Sequence, residues 1–211
     1  LIHKDICLIV DYISSKKNII EIKLNTNAKR LTESTLEKLI STRLNILVIS
    51  TDHYEKEKYE EYRHGAKFEN LILNISRINP LRKKFGREDK LYTRSSGVAV
   101  DPNMIKDKFD EFYHQFLDES ATVEVLDRWN TYENSKNKKE FGPCGLPFER
   151  MYIWYDGTTN PCDADYKSYL SPGKIGEMNL KECWSNLSDL RKKMLDGNRN
   201  IVNPCDRCGS Q

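Results

Sequence analysis

The sequence predicts an α/β fold, with a parallel sheet in the first part of the chain and a smaller domain after it. Short apolar runs, such as NILVIS at 45–50, have the length and composition of strands buried in a parallel sheet. Segments of helical periodicity lie between these runs, and this alternation is typical of βαβ units. Beyond residue 142, aromatic residues and turn signals replace the alternation. We therefore expect the functional residues of the first part at the carboxyl ends of its strands.

The composition is that of an ordinary globular protein. The 211 residues carry 34 Lys and Arg against 32 Asp and Glu, so the net charge is only +2. This balance does not provide the basic face typical of nucleic-acid binding, and no nucleic-acid partner is indicated. No apolar run approaches the roughly 20 residues of a membrane span, and no export signal opens the chain. The sequence therefore predicts a cytoplasmic protein without a membrane partner.

The first elements follow from apolar spacing and turn residues. Apolar residues at helical intervals predict a helix over 6–13, and the run IIEIKL predicts a strand over 19–24 that ends in the turn NTNAK. The next helix has candidate N-caps at Thr32 and Ser34. Glu37, three residues after Ser34, would complete a capping box.

The middle of the chain continues the alternation. The continuous run over 45–50 predicts a buried strand, and two helices are predicted over 55–63 and 68–78. The segment 81–89 is predicted to be a basic loop, followed by a strand over 91–100.

The pattern of the sequence changes after the last predicted β/α elements. A helix near 103–118 and a strand over 121–127 precede a polar linker. A hairpin is then predicted over 148–162, with its turn at Asp156-Gly157, and an amphipathic helix over 179–195. The predicted parts of the chain are the β/α region, the linker and the small domain, over residues 1–128, 129–143 and 144–211.

The cysteines indicate a metal centre in the small domain. Four of the six stand at predicted turns or element ends: Cys144, Cys162, Cys205 and Cys208. Four thiolates in two groups, one of them C-x-x-C, can converge on one tetrahedral metal ion or one cubane cluster. The spacing alone does not choose between zinc and iron-sulfur. Cys7 and Cys183 lie inside predicted helices, where packing is the simpler interpretation.

The second region resembles a known enzyme family. The stretches CGLPFERMYIWYDGTTNPCDADY, GKIGEMNLKECWSNLSDLRKKML and NPCDRCG resemble the C-terminal auxiliary-cluster region, SPASM or twitch, of radical S-adenosylmethionine enzymes. The sequence stops after C-x-x-C, where a full SPASM region would contain further cysteines, and this favours the shorter twitch type. The resemblance implies a single auxiliary 4Fe-4S cluster with these ligands: Cys144, Cys162, Cys205 and Cys208.

The first region resembles the later β/α units of the same family's partial (β/α)6 barrel. NTNA, with Asn25 and Asn27, is similar to a cofactor-binding turn, and LIHKDI resembles the continuation of a G-E-P-L motif. Ser50 and Arg63 match the positions that bind the carboxylate of S-adenosylmethionine in relatives. An arginine suits that task because its guanidinium grips a carboxylate with two hydrogen bonds.

The family's C-x-x-x-C-x-x-C motif does not occur in these residues. The resemblance places that motif after the first strand, so we expect this sequence to begin near the third β/α unit of a longer protein. S-adenosylmethionine and a second 4Fe-4S cluster are then expected in the full-length protein.

The resemblance implies an oxidoreductase, a dehydrogenase or a modifying enzyme that removes hydrogen from a carbon of a small polar molecule or a peptide. Asp163, beside Cys162, occupies the place of a general-base aspartate, and Arg94 near Tyr92 is a second candidate at the substrate. The auxiliary cluster would accept an electron or help to hold the substrate. A flavodoxin or ferredoxin is the implied electron donor.

Other interpretations remain open at this point. The four cysteines are equally compatible by spacing with a structural zinc in a non-catalytic binding module. Asp163 and Asp165 have an alternative role in shaping their loop. The segment 127–134 suits either a polar substrate wall or a packed linker, and a leader-peptide role for the cluster region would mark the peptide-modifying branch.

Overall fold

The structure, a computed structural model, describes residues 3–125, 131–133 and 142–208. The chain divides into two compact units, Leu1–Val125 and Leu126–Gln211. Most of the predicted linker, 129–143, lies outside the described residues. None of the described helices is both long and apolar enough to cross a membrane.

The first unit is built on a parallel sheet, as predicted. Its strands are β1 (Lys23–Thr26), β2 (Ile46–Ser50), β3 (Tyr92–Val98) and β4 (Glu119–Val123). They lie in the order β1-β2-β3-β4, and each neighbouring pair is parallel. A sheet whose strand order follows the chain order arises when successive crossovers all run the same way, as in a β/α barrel. The α/β fold class predicted from the sequence is confirmed.

Helices cover one face of this sheet. They are α1 (Ile6–Ser14), α2 (Glu33–Ser41), α3 (Lys56–Tyr62), α4 (Phe68–Ser76), α5 (Ile78–Lys84) and α6 (Lys106–His114). Leu47 and Ile49 of β2 are fully buried in the same apolar core as Leu39 of α2, Ile75 of α4 and Phe109 of α6. This core accounts for the apolar residues on one face of β2, and Val48 on the other face is buried as well.

The opposite face of the sheet is polar. The strand register aligns Asn25, Val48, Arg94 and Glu119 in one row across the sheet, and Ser50, Ser96 and Ala121 in the next. In β3 the helix-facing residues are buried, whereas Arg94 and Ser96 remain partly accessible. Parallel sheets usually have both faces covered by apolar contacts. A polar second face is what the inner wall of a ligand-binding barrel requires.

The second unit combines a small antiparallel sheet with helices. Its strands are β5 (Tyr152–Ile153), β6 (Thr158–Asn160) and β7 (Gly173–Lys174), in that order. Its helices are α7 (Leu146–Glu149), α8 (Leu180–Ser185) and α9 (Ser188–Leu195), followed by 3₁₀ turns at Asn198–Ile201 and Cys205–Arg207. The predicted hairpin is therefore present, and β7 extends it.

The first strand begins later than predicted. The prediction was 19–24, but β1 spans Lys23–Thr26, because β2 begins only at Ile46 and offers no earlier residues for parallel pairing. The side chain of Asn45 accepts the Ile22 N–H at 2.9 Å just before the ladder starts. Asn25 consequently lies within the strand and not in a turn.

Several helix boundaries also differ from prediction. The N-cap of α2 is Thr32, whose hydroxyl accepts the Thr35 N–H at 3.3 Å, and Glu37 instead forms an ion pair with Lys84. Lys84 ends helix α5, so 81–84 is helical and not loop. The predicted helix over 179–195 is two helices, and between them the Asn186 side chain donates to the Pro172 carbonyl at 3.0 Å.

The last helix and strand of the first unit are shifted as well. Helix α6 is confined to Lys106–His114, because Asn103 and Met104 belong to a turn in which their N–H groups bond to Asp101. Strand β4 spans Glu119–Val123, so it begins two residues before the predicted 121, opposite Arg94 of β3, and residues 126 and 127 of the prediction lie outside the described residues.

Candidate functional site

The four predicted cysteine ligands stand at the ends of short elements in the second unit. Cys144 precedes α7 and Cys162 follows β6. Cys205 begins the final 3₁₀ turn and Cys208 follows it. Cys144 and Cys208 are buried, and the other two are partly accessible. Such positions leave the thiols on loops that helices and strands hold in place.

The thiols lie within electrostatic range of one another. Burial, followed by the neighbouring thiols of Cys162, Cys208 and Cys144, raises the pKa of Cys205 to about 12. Burial likewise raises the pKa of Cys162 to about 11, and Cys208 contributes. Within the described ranges, no three His, Cys, Asp or Glu side chains come close enough together to hold one metal ion. The electrostatic influence of the other three thiols nevertheless places them in the neighbourhood of Cys205.

An apolar layer supports this region from α9. Cys144 belongs to a buried cluster with Leu190 and Met194 of α9, and Cys205 packs against the same cluster. An apolar environment disfavours free thiolates, and metal binding is the usual way in which buried thiolates are stabilised. Cys183 is fully buried inside α8, and the thiol of Cys7 donates to the Thr35 carbonyl in the first unit.

The loop after Cys162 is fixed by Asp165. Its buried carboxylate accepts the N–H groups of Tyr169 and Leu170 at 3.0 and 2.9 Å and the hydroxyl of Tyr132. Burial raises the pKa of Asp165 and also that of Tyr132. Asp165 thus shapes the loop, which was one of the open interpretations. Asp163 is partly accessible beside Cys162.

Tyr132 lies in the segment 127–134, for which the sequence left both a polar substrate wall and a packed linker open. Its ring makes edge contacts with Tyr166 and Tyr169, with centroids 5.1 and 4.7 Å away, and Thr131 is fully buried. These two residues are packed within the second unit and do not form an open polar wall, and the rest of the segment apart from Glu133 lies outside the described residues. The pairing was not foreseen because it joins residues 33 positions apart.

The candidate cofactor residues of the first unit gather on the polar face and at the carboxyl edge of the sheet. Asn25 lies in β1 and Asn27 directly after it, where the Asn27 side chain accepts the Lys29 N–H. Ser50 is the last residue of β2 and aligns with Ser96 of β3. Ser50 and Asn27 therefore lie at the carboxyl edge, and Asn25 lies one row below it.

Arg94 lies one row below that edge. Its Nε is 3.5 Å from Glu119 Oε2 on the neighbouring strand, and the Tyr92 hydroxyl donates to the same carboxylate oxygen at 3.2 Å. The three side chains form a charged, partly accessible group on the polar face. Glu119 was not singled out from the sequence, and the register of β3 and β4 reveals it.

Arg63 follows α3 and reaches back to the carboxyl edge. Its guanidinium lies 2.6 Å from the carboxylate of Asp52, two residues after β2. The other oxygen of Asp52 accepts the Val98 N–H at 3.1 Å, and Asp52 itself has a left-handed φ of 60°. Arg63 is thereby held close to the end of the strand that bears Ser50. Asp52 is a site residue that sequence reasoning missed.

A buried histidine completes this edge. His53 accepts the Glu55 N–H through Nδ1 at 2.9 Å, and its Nε2 is 3.7 Å from Asp101. Burial lowers the pKa of His53, which favours the neutral imidazole. Its carbonyl accepts the hydroxyl of the buried Tyr113. These contacts make His53 a packing residue that stiffens the loop after β2.

Comparisons with known proteins agree with this arrangement. Residues 144–209 match the family model of SPASM, an iron-sulfur cluster-binding domain. The structure is similar to that of BtrN in complex with AdoMet and 2-DOIA, with 15% identity and a TM-score of 0.54, over 98% of this chain and 67% of that chain. It is also similar to Streptococcus suis SuiB bound to precursor peptide SuiA, with 16% identity and a TM-score of 0.57, over 97% and 55%.

No curated protein matches the sequence. The chain spans about two thirds of the BtrN chain and about half of the SuiB chain. At this identity the structural likeness concerns the fold. The SPASM match confirms the resemblance of the second region, and the structural likeness shows the fold.

Proposed function

We propose that this chain is the later part of a radical S-adenosylmethionine oxidoreductase or modifying enzyme, with one auxiliary 4Fe-4S cluster in its second unit. The convergence of four thiols inside the SPASM-matched residues carries the proposal. When bound, S-adenosylmethionine and its reducing cluster supply a hydrogen-abstracting radical, and the auxiliary cluster supplies an electron acceptor.

The proposed cluster ligands are the four thiols of the SPASM-matched residues: Cys144, Cys162, Cys205 and Cys208. Four thiolates can hold either one zinc ion or one cubane cluster. The match of residues 144–209 to an iron-sulfur cluster-binding domain favours the cluster over the structural-zinc alternative.

The carboxyl edge of the sheet is the proposed S-adenosylmethionine site. Ser50 offers a hydroxyl there, and Arg63 offers a guanidinium whose orientation is fixed by Asp52. Asn25 and Asn27 supply amides at the end of the neighbouring strand. A serine hydroxyl and a guanidinium would bind the amino-acid carboxylate by charge-assisted hydrogen bonds.

The polar face of the sheet is the proposed substrate wall. Arg94 and Glu119 present charges of both signs there, which suits a polar group on a small molecule or a peptide. Arg94 is the proposed substrate-orienting residue of this face. In the second unit, Asp163, partly accessible beside Cys162, is the proposed acceptor of the proton that leaves as the substrate is oxidised. A flavodoxin or ferredoxin would supply the electron that starts each turnover.

Metal analysis of anaerobically purified protein tests the proposal. Iron, sulfide and zinc are measured in the natural protein and in Cys205→Ala, Cys208→Ala and Cys183→Ala. We expect the first two variants to lose one four-iron cluster and the third to keep its iron, because Cys183 is buried inside a helix. One zinc per chain and no iron would contradict the proposal and establish the binding-module alternative.

A further inference from the structure

Arg199 is a buried arginine that joins two cysteine-bearing segments. It lies in the 3₁₀ turn Asn198–Ile201 and is only 3% exposed. One guanidinium nitrogen donates to the Gly142 carbonyl at 3.4 Å, and the other donates to the Cys208 carbonyl at 3.1 Å. Gly142 lies two residues before Cys144. One side chain therefore ties the backbone near the first thiol to the backbone of the last.

The charge of Arg199 lies beside the backbone that bears the last thiol, because its guanidinium donates to the carbonyl of Cys208 itself. Burying a guanidinium is unfavourable in free energy unless negative charge lies nearby. Cysteine thiolates bound to a cluster supply such charge. The planar fork of arginine suits two fixed acceptors in a way that lysine cannot match.

We propose that Arg199 is a positioning residue for the auxiliary cluster, holding the Cys144 and Cys208 segments at a fixed separation and raising the cluster's reduction potential. The inference rests on the proposed function, since it requires a cluster at these thiols. Reduction adds one negative charge to the cluster, and a fixed positive charge nearby stabilises the reduced form. Hydrogen bonds and charges around the ligands are recognised means of tuning such potentials.

The test uses Arg199→Met and Arg199→Lys, with Arg191→Met as a matched control. Arg191 is also an arginine of the second unit that donates to two carbonyls, those of Pro147 and Trp184, neither within two residues of the four thiols. Anaerobically purified protein is titrated with dithionite, and the auxiliary cluster is identified as the one whose electron paramagnetic resonance signal is lost in Cys205→Ala.

We expect Arg199→Met to lower the midpoint potential so that the reduced-to-oxidised ratio at a fixed potential falls at least tenfold, which corresponds to about 59 mV for one electron. Arg199→Lys should keep the potential but lose iron to a chelator several-fold faster, because lysine retains the charge without the fork. Arg191→Met should match the natural protein in both measurements.

The inference would be overturned if Arg199→Met had the same midpoint potential as the natural protein. It would also be overturned if Arg191→Met shifted the midpoint potential as much as Arg199→Met does. If Arg199→Met purifies without a cluster, the test rests on Arg199→Lys. Loss of iron from that variant at the same rate as from the natural protein would then count against the inference. Failure of Cys205→Ala to remove any iron would instead contradict the ligand assignment itself, and that result is obtained without any change at Arg199.

Discussion

The guanidinium of Arg63 and the carboxylate of Asp52 lie 2.6 Å apart at the carboxyl edge of the parallel sheet. Asp52 also accepts the N–H of Val98, so one carboxylate links helix α3 to the end of β3. The ion pair fixes the direction of a guanidinium that would otherwise be free to rotate. It also predicts how binding at this edge responds to substitution.

Arg63→Met should weaken S-adenosylmethionine binding by about tenfold to a hundredfold, the value of a charge-assisted hydrogen bond. Asp52→Asn should weaken it less, because the amide keeps the shape and loses only the charge that orients Arg63. Equilibrium dialysis under anaerobic conditions measures both. Arg43→Met is the control. Arg43 precedes β2, at the amino edge of the sheet, where its guanidinium donates to the Ser14 carbonyl. Equal affinity in Arg63→Met and Arg43→Met would contradict the assignment.

Adding a side chain at Gly97 should affect both stability and binding at the same edge. A Cβ at this position would lie 3.1 Å from the Phe109 ring and 3.2 Å from the Cα of Asp52, both closer than ordinary contacts. Gly97→Ala should therefore lower the free energy of unfolding by about 1–3 kcal/mol and also weaken S-adenosylmethionine binding. Denaturant unfolding and dialysis measure the two effects. Gly142→Ala, where an added Cβ meets nothing within 4 Å, should change neither.

Sequence reasoning succeeded where the determining signal is local. The strand Ile46–Ser50 was recognised because both its length and its apolar composition lie in six consecutive letters. The four cysteines were predicted as one ligand set because turn residues adjoin each thiol, and that assignment stays a prediction. The start of β1 was misplaced because it depends on where β2 begins, which the letters of β1 do not contain.

The missed site residues depend on contacts between distant parts of the chain. Asp52 pairs with Arg63 only because its backbone adopts a left-handed conformation after β2. Glu119 meets Arg94 through the register of two strands. Nothing in the sequence near Tyr132 points to Asp165, which reaches it from the loop after Cys162.

The hydrogen bonds of Asp118 indicate how the free energy of unfolding changes in acid. Burial alone would raise the pKa of this carboxyl, but hydrogen bonds from Arg82 and Thr93 outweigh it and lower the pKa below its usual range. A lowered folded-state pKa means that this stabilisation is present above the unfolded value of about 3.9 and is lost as the pH falls through the lower folded value.

Asp118→Asn should therefore cost about 2 kcal/mol at neutral pH and flatten the loss of stability below about pH 4. Urea unfolding between pH 3 and 7 measures this, with the exposed Asp89→Asn as the control. A variant with the same acid dependence as the natural protein would show that Asp118 is not the group responsible.

Tyr132 predicts that a single hydroxyl stabilises the loop after Cys162. It donates to Asp165, whose carboxylate also holds the N–H groups of Tyr169 and Leu170. Tyr132→Phe keeps the ring contacts and removes that donor, leaving a buried carboxylate with one partner fewer. We expect a loss of about 1.5–3 kcal/mol in the free energy of unfolding, the value of a hydrogen bond to a charged group.

Because this loop follows directly after a proposed cluster ligand, Tyr132→Phe should also speed the loss of iron to a chelator. Tyr155→Phe is the matched control, since Tyr155 is fully exposed and its hydroxyl loss should change neither property. Asp165→Asn, which keeps a side chain of the same shape, should reproduce the faster iron loss. If both loop variants retain iron as firmly as Tyr155→Phe, the hydrogen bonds of Asp165 shape the loop without securing the cluster ligand.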